Sequence, residues 1–286
     1  MISGTTELIA HIGVPTANFR APLIYNPWFD HKGIDAVVVP MGCGSADYPG
    51  FLRLLFNLTN IRGALVTMPH KVTTAGLVDV LSPAAKICGA CNAVRRDDEG
   101  RLVGAMFDGE GFVRAMRSQG RDPEAASALV VGAGGVGSAI AASLAAAGIG
   151  RLSLFDVNPA AAQHLAGRLA AHHPGLALSC ESPDPADIEI IVNATPLGMN
   201  ANDPLPVDPD RIEASAYVGD VVMAGRETPF LALARAKGCT VQPGLDMLFE
   251  QIPAYLEFFG FPPATARELR ELAQIAIPTA STHAPD

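Results

Sequence analysis

Long apolar runs are missing from this chain. The longest, residues 139–149, is alanine-rich, broken by Ser143 and far short of the roughly 18 residues that a membrane span requires. The opening residues, Met1-Ile2-Ser3-Gly4-Thr5-Thr6-Glu7, carry no basic stretch ahead of an apolar one, so no secretory leader is expected. Positive charge is scarce. The 20 Lys and Arg against 29 Asp and Glu leave a net charge of -9, which would repel a phosphate backbone and argues against nucleic acid as a partner. Cysteine is sparse too, and an odd count of 5 fits free thiols in a reducing cytoplasm better than a disulfide framework. Only 17% of residues are charged while 49% are hydrophobic, which excludes a disordered chain. At about 100–200 residues per domain, 286 residues suggest two domains.

What is present is an alternation of short β-branched runs and alanine-rich stretches. Strands are predicted at residues 8–13, 36–39, 63–67, 128–132, 151–156, 188–194, 216–220 and 239–241, mostly with helical segments between them. Such alternation predicts an α/β fold with parallel sheets covered on both faces. One hairpin interrupts it. Residues 92–96 and 101–107 flank the turn Asp97-Asp98-Glu99-Gly100. A helix is expected over 111–119, a linker at Gly120-Arg121-Asp122-Pro123, and a domain break near residue 109. Helices are expected over 245–259 and 264–277, ahead of a frayed tail at 278–286. Periodicity leaves open whether they close the second domain or return to the first.

The clearest chemical motif is Gly132-Ala133-Gly134-Gly135-Val136-Gly137. It follows the strand run Ala128-Leu129-Val130-Val131 and opens a small-residue helix. Glycines in that context let the backbone approach a pyrophosphate, and the helix N-terminus offers it free N–H groups. A glycine turn without a ligand, or a related turn binding S-adenosylmethionine, are the alternatives. The next strand ends in Asp156, where a carboxylate would accept ribose hydroxyls and repel a 2′-phosphate. Val157 and Asn158 add no positive charge, so NAD is expected in preference to NADP. A helix cap ahead of Pro159 is the other reading of Asp156.

Taken alone, Lys71 after Met68-Pro69-His70 reads as a surface charge and Asp108 as a turn or cap. In company they read differently. The chain resembles the shikimate/quinate dehydrogenase family over almost its whole length. The resemblance rests on Gly13-Val14-Pro15, Val66-Thr67-Met68-Pro69-His70-Lys71, Gly89-Ala90-Cys91-Asn92, Asp108-Gly109, the glycine motif, Asn193-Ala194-Thr195-Pro196-Leu197-Gly198-Met199, Thr228-Pro229-Phe230-Leu231 and Gly244-Leu245-Asp246-Met247-Leu248.

That resemblance implies an N-terminal α/β catalytic domain, a Rossmann-type dinucleotide-binding domain, and C-terminal helices returning to the first domain. The expected division is residues 1–108 with 245–286 for the catalytic domain and 109–244 for the nucleotide domain. The resemblance also implies roles. Lys71 and Asp108 match an acid–base pair. Asn92, Thr67 and Gln251 match contacts to substrate hydroxyls. Asn193, Ala194 and Thr195 lie where the chain passes the cofactor, and Gly244 near the nicotinamide. The expected partner is a small-molecule substrate, and a homodimer is left open. A non-catalytic dinucleotide sensor with the same fold is the alternative, which a retained proton-transfer pair speaks against.

Departures gather at the substrate end. The family's His-Ser-x-Ser-Pro, whose serines hold a carboxylate, here reads Asn18-Phe19-Arg20-Ala21-Pro22. Leu65, Met106, Phe107, Met223 and Asp246 depart as well. Burying an unmet carboxylate against Phe19 and Leu65 would be unfavourable. The substrate is therefore expected to resemble shikimate at the reacting carbon and to differ at the carboxylate end. Arg20 either pairs with that end or stays in solvent. Cys88-Gly89-Ala90-Cys91 has no second C-x-x-C, so no metal or thiol-redox role is expected. His172-His173 reads as a solvated helix end, His70 as facing either the cleft or the surface, and Trp28 and Phe29 as core.

Overall fold

A computed structural model of the protein describes residues 2–200, 202–223 and 227–274. The first lobe contains strands β1 (Glu7–Gly13), β2 (Ala36–Gly42), β3 (Ile61–Val66), β4 (Val80–Leu81), β5 (Ala93–Arg96) and β6 (Leu102–Ala105). Its helices are α1 (Pro22–Lys32), α2 (Tyr48–Leu55), α3 (Lys71–Ala75) and α4 (Pro83–Cys88). Helix α5 (Asp108–Ser118) leads out of it. The sheet order is β2-β1-β3-β5-β6-β4. Strands β1, β2 and β3 are parallel, whereas β5 and β6 form the antiparallel hairpin expected around the acidic turn.

The second lobe contains β7 (Ser127–Val131), β8 (Arg151–Phe155), β9 (Ala177–Ser179), β10 (Ile190–Asn193), β11 (Tyr217–Asp220) and β12 (Thr240–Pro243). Helices α6 (Gly135–Ala146), α7 (Pro159–His172) and α8 (Pro229–Ala236) connect them, and α9 (Gly244–Phe258) and α10 (Ala266–Leu272) follow. The sheet is parallel throughout, in the order β12-β11-β10-β7-β8-β9. From β7 the chain steps to β8 on one side, and β10 lies on the other. That reversal puts the glycine turn after β7 at the crevice where α/β sheets bind ligands. Both faces are covered, so β7 and β10 are buried along their whole lengths.

The C-terminal helices return to the first lobe, which sequence periodicity left open. Phe249, Ile252, Leu256, Phe259 and Leu269 pack with Ile9, Trp28, Phe29 and Leu65 in one buried cluster. Each such side chain contributes about 1.5–3 kcal/mol of burial. Lys32 pairs with Glu268 at 2.6 Å, and the Gln274 N–H donates to the Leu23 carbonyl at 2.8 Å, tying this end to α1. The α10 helix stops at Leu272, short of the expected 264–277. Positions 275–277 and the expected tail at 278–286 lie outside the described residues.

Helix α5 packs closely between α6 and α9 because Gly109 and Gly111 carry no side chains. A Cβ on Gly109 would fall 1.9 Å from the Ala139 carbonyl oxygen of α6, and one on Gly111 2.6 Å from the Met247 carbonyl oxygen of α9. Only glycine permits both approaches. The two strands missed from sequence, β4 and β9, are two and three residues long, too short to show a period. Among the described residues no helix is long and apolar enough to cross a membrane.

Candidate active site

Strand β3 ends at Val66, and the Thr67 N–H continues its pairing by donating to the Ile12 carbonyl at 2.9 Å. The next four residues turn into α3, whose first residue is Lys71. His70 anchors that turn. Its Nε2 donates to the Cys43 carbonyl at 2.8 Å, and its ring stacks on Tyr48 at 3.9 Å. His70 is therefore neither a cleft group nor a surface group, as the sequence suggested; it is buried beneath the turn. With His70 turned inward, Lys71 points the other way, into the gap between the lobes.

There Lys71 Nζ lies 2.6 Å from Asp108 Oδ2. The two side chains are 19% and 7% exposed, so water competes little for this pair. Asp108 opens α5, where unpaired helix N–H groups favour a carboxylate. Its other oxygen, Oδ1, accepts from Asn92 Nδ2 at 2.8 Å. Asn92 Oδ1 in turn accepts the Phe107 N–H at 3.0 Å, so one amide fixes both the carboxylate and the chain before it.

This cluster faces an open cleft of about 220 Å³. From the first lobe and the returning helix the cleft is lined by Thr67, Asn92, Gln251, Phe19, Ala21 and Arg20, the residues singled out from sequence, and by His11, Tyr25 and Leu65. From the second lobe come Val136, Val221 and Met223. Arg20 is exposed at the mouth. His11 and Tyr25 were not anticipated. His11 lies in the apolar run of β1, and Tyr25 sits among Leu23, Ile24 and Trp28 on α1, so both read as packing residues.

The glycine turn lies against the cleft. Gly132 has φ +105°, and a Cβ there would lie 2.7 Å from the Ala194 carbonyl oxygen. A Cβ on Gly137 would fall 1.8 Å from the Gly132 carbonyl oxygen, so neither of these two positions tolerates a side chain. Gly134 and Gly135, by contrast, face open space at the start of α6. A turn closed on its protein side and open on its outer side fits a bound pyrophosphate. Asn193 is buried. Its Nδ2 donates to the Leu197 carbonyl and to Asp220 Oδ1, and its Oδ1 accepts the Thr195 N–H and hydroxyl. It thus shapes the loop carrying Ala194 and Thr195 past the glycine turn. Gly244 begins α9, and a Cβ there would meet the Val221 carbonyl oxygen at 2.6 Å.

Cys88 and Cys91 are buried, and burial pushes both thiols up to about 12, far from a reactive thiolate. His172 Nδ1 lies 2.9 Å from the Arg168 carbonyl at the end of α7. Among the described residues no three His, Cys, Asp or Glu side chains group as a metal site.

The chain is similar to known proteins along most of its length. The family profile of the shikimate dehydrogenase substrate binding domain matches residues 12–94, and that of the ThiF family matches residues 115–159, across the glycine turn. The shikimate dehydrogenase (NADP(+)) of Acidiphilium cryptum is 35% identical, over 92% of this chain and 94% of its own length. That of Rubrobacter xylanophilus is also 35% identical, over 95% of this chain and 97% of its own. The crystal structure of shikimate 5-dehydrogenase from Listeria monocytogenes with shikimate and NAD superposes with a TM-score of 0.88 at 28% identity, covering 95% of this chain and 97% of that one.

The curated relatives overturn one expectation. They are NADP(+) enzymes, against the NAD preference inferred from Asp156. The local reason is visible. Asp156 Oδ2 accepts the Ala133 N–H at 2.7 Å, and Oδ1 accepts the Asn158 N–H at 2.8 Å. The carboxylate braces the glycine turn, so its presence at the strand end does not by itself select a cofactor. The motifs, the two-lobed fold and the relatives thus converge: this chain belongs to the shikimate dehydrogenase family.

Proposed function

We propose that the protein is an NADP(H)-dependent dehydrogenase that interconverts a secondary alcohol and its ketone, with Lys71 and Asp108 as the acid–base pair. The observation that carries this reading is the Lys71–Asp108–Asn92 cluster, set in a cleft that the glycine-turn lobe also lines. NADP(H) is assigned from the relatives' cofactor. Gly132, Ala133, Gly134, Gly135, Val136 and Gly137 would hold its pyrophosphate, with Asp156 bracing the turn and Asn193, Ala194, Thr195 and Gly244 shaping the adjoining walls.

The bound nicotinamide supplies the hydride acceptor. The hydroxyl proton falls to the protein. In the oxidising direction Lys71 Nζ, as the amine, takes the proton from the substrate oxygen; in the reducing direction its ammonium returns it. Asp108 holds Nζ in place and balances its charge, and Asn92 holds Asp108. Secondary alcohol and NADP+ thus become ketone, NADPH and one proton, so atoms and charge balance. Thr67, Asn92 and Gln251 are assigned to hydroxyls beside the reacting carbon, and Phe19, Ala21 and Arg20 to the far end of the molecule. Residues 1–108 with the returning helices would form the catalytic domain and 109–244 the nucleotide domain. The substrate class is a shikimate-like or related cyclic alcohol altered at its carboxylate end. A sensor that only binds the dinucleotide is not favoured, since it has no use for a lysine held by a carboxylate in the cleft.

Incubation with NADP+ and a panel of cyclic alcohols, shikimate and quinate included, tests this reading. NADPH formation from at least one is expected. Tight dinucleotide binding without NADPH from any of them would contradict it.

A further inference from the structure

Among the described residues, three polar atoms of residues that line the cleft have no hydrogen-bond partner: His11 Nδ1, Tyr25 Oη and Gln251 Oε1. Each is fully withdrawn from solvent. The residues come from three separate elements, β1, α1 and α9, so local chain geometry does not force the coincidence. Tyr25 and Gln251 are 1% and 7% exposed. Buried polar atoms in folded proteins are nearly always paired, so three unpaired ones on residues that line a single cleft are hydrogen-bonding capacity for a molecule that enters it, reached once their side chains turn toward it.

We propose that His11, Tyr25 and Gln251 form an uncharged hydrogen-bonding wall that selects a neutral polyhydroxylated alcohol, or its ketone, in place of a carboxylate-bearing one. The inference rests on the dehydrogenase reading above and names the substrate class for it. His11 and Tyr25 are its specificity-determining residues.

The wall is neutral for physical reasons. The His11 ring stacks on Phe19 at 4.0 Å, and burial, followed by the neighbouring Lys71 ammonium, lowers its pKa to about 4. It therefore stands as an imidazole, one nitrogen donating and the other accepting. Burial likewise pushes the Tyr25 phenol well above its ordinary value, so it stays a donor and acceptor without charge. Between these groups the surface is apolar, from Phe19, Ala21, Leu65 and Ile252. Among the described residues the cations on the cleft are Lys71, already paired with Asp108, and Arg20, out at its exposed mouth. A carboxylate placed against His11 and Tyr25 would lose its water without gaining a counter-charge. A hydroxyl or carbonyl there gains two or three hydrogen bonds and leaves no charge stranded.

The test compares shikimate with its analogue in which hydroxymethyl replaces the carboxylate. The two share a ring and its hydroxyls and differ in charge at one end. Binding is measured by calorimetry on the wild-type protein with NADPH present, so it is read without turnover. The neutral analogue is expected to bind at least about tenfold more tightly than shikimate. Tyr25→Phe, which keeps the buried ring, and His11→Phe, which keeps the stack, are each expected to weaken the analogue about tenfold and to change shikimate little. Unchanged NADPH affinity checks that both variants are folded. Equal or tighter binding of shikimate would overturn the proposal, as would an unchanged analogue affinity in Tyr25→Phe. A loss of shikimate binding in Arg20→Ala would show that the guanidinium pairs with the carboxylate and would overturn the proposal as well. NADP+ turnover is followed separately with the panel of cyclic alcohols above: if none is oxidised while the binding preference holds, the dehydrogenase reading fails and the wall stands.

Discussion

Asn92 Nδ2 and Asp108 Oδ1 are 2.8 Å apart, and the same amide's oxygen accepts the Phe107 N–H. A loop before β5 thereby fixes both the carboxylate and the approach to α5. Asp108 keeps one oxygen for this amide and the other for Lys71. The pair is held from behind by a residue that also faces the cleft.

Asn92→Ala should therefore affect stability and rate together. It leaves a buried carboxylate oxygen and a backbone N–H unpartnered, a loss of about 1–3 kcal/mol. Urea unfolding should show the lowered midpoint, and kcat should fall as Lys71 loses its fixed partner. A variant with wild-type midpoint and rate would show that the bridge is incidental.

Asp156→Ala should loosen the glycine turn. The Ala133 and Asn158 N–H groups lose their acceptor, so KM should rise for NADP+ and NAD+ by similar factors. A large gain for NADP+ alone would mean that the carboxylate acts chiefly by repelling a 2′-phosphate.

Gly109→Ala should push α5 away from α6. The added Cβ would sit 1.9 Å from a backbone oxygen that has no rotamer to change. Overpacking of this kind costs about 1–3 kcal/mol, and Asp108 would shift with the helix. Calorimetry should show a lowered Tm, with kcat reduced in the same variant. An unchanged Tm would mean that the interlobe contact yields freely.

His11 gives stability a pH signature. Its folded pKa is about 4 against an ordinary 6.5, so between these values the unfolded chain binds a proton that the folded protein excludes. Stability from this group is complete above the ordinary value and declines as pH falls, by up to on the order of 3 kcal/mol across the window. The fall in urea midpoint from about pH 7 to about pH 5 should thus be larger in wild type than in His11→Phe. Equal falls would show that the ring takes up its proton in the native state.

Much of this was legible in the sequence because it is local. β-branched runs, the glycine motif and the acidic hairpin turn each lie within a few consecutive residues, and the family motifs carried Lys71 and Asp108. What was not legible depends on residues far apart. His70 is placed by Cys43 and Tyr48, and neither neighbour in sequence reveals that. His11 and Tyr25 look like packing positions until α9 returns to enclose them. Asp156 misleads because a carboxylate at a strand end can brace the turn beside it as readily as bind a ribose. The return of α9 and α10 has no periodic signal; it follows from apolar faces that α1 and the first sheet cover.

The account centres on proton transfer at Lys71, and the most direct measurement is kcat for NADP+ reduction by Lys71→Ala, with NADPH affinity measured on the same sample. The account predicts a fall of at least about a hundredfold with affinity nearly unchanged, since general acid–base groups contribute on that scale. A variant that keeps the wild-type rate would contradict it.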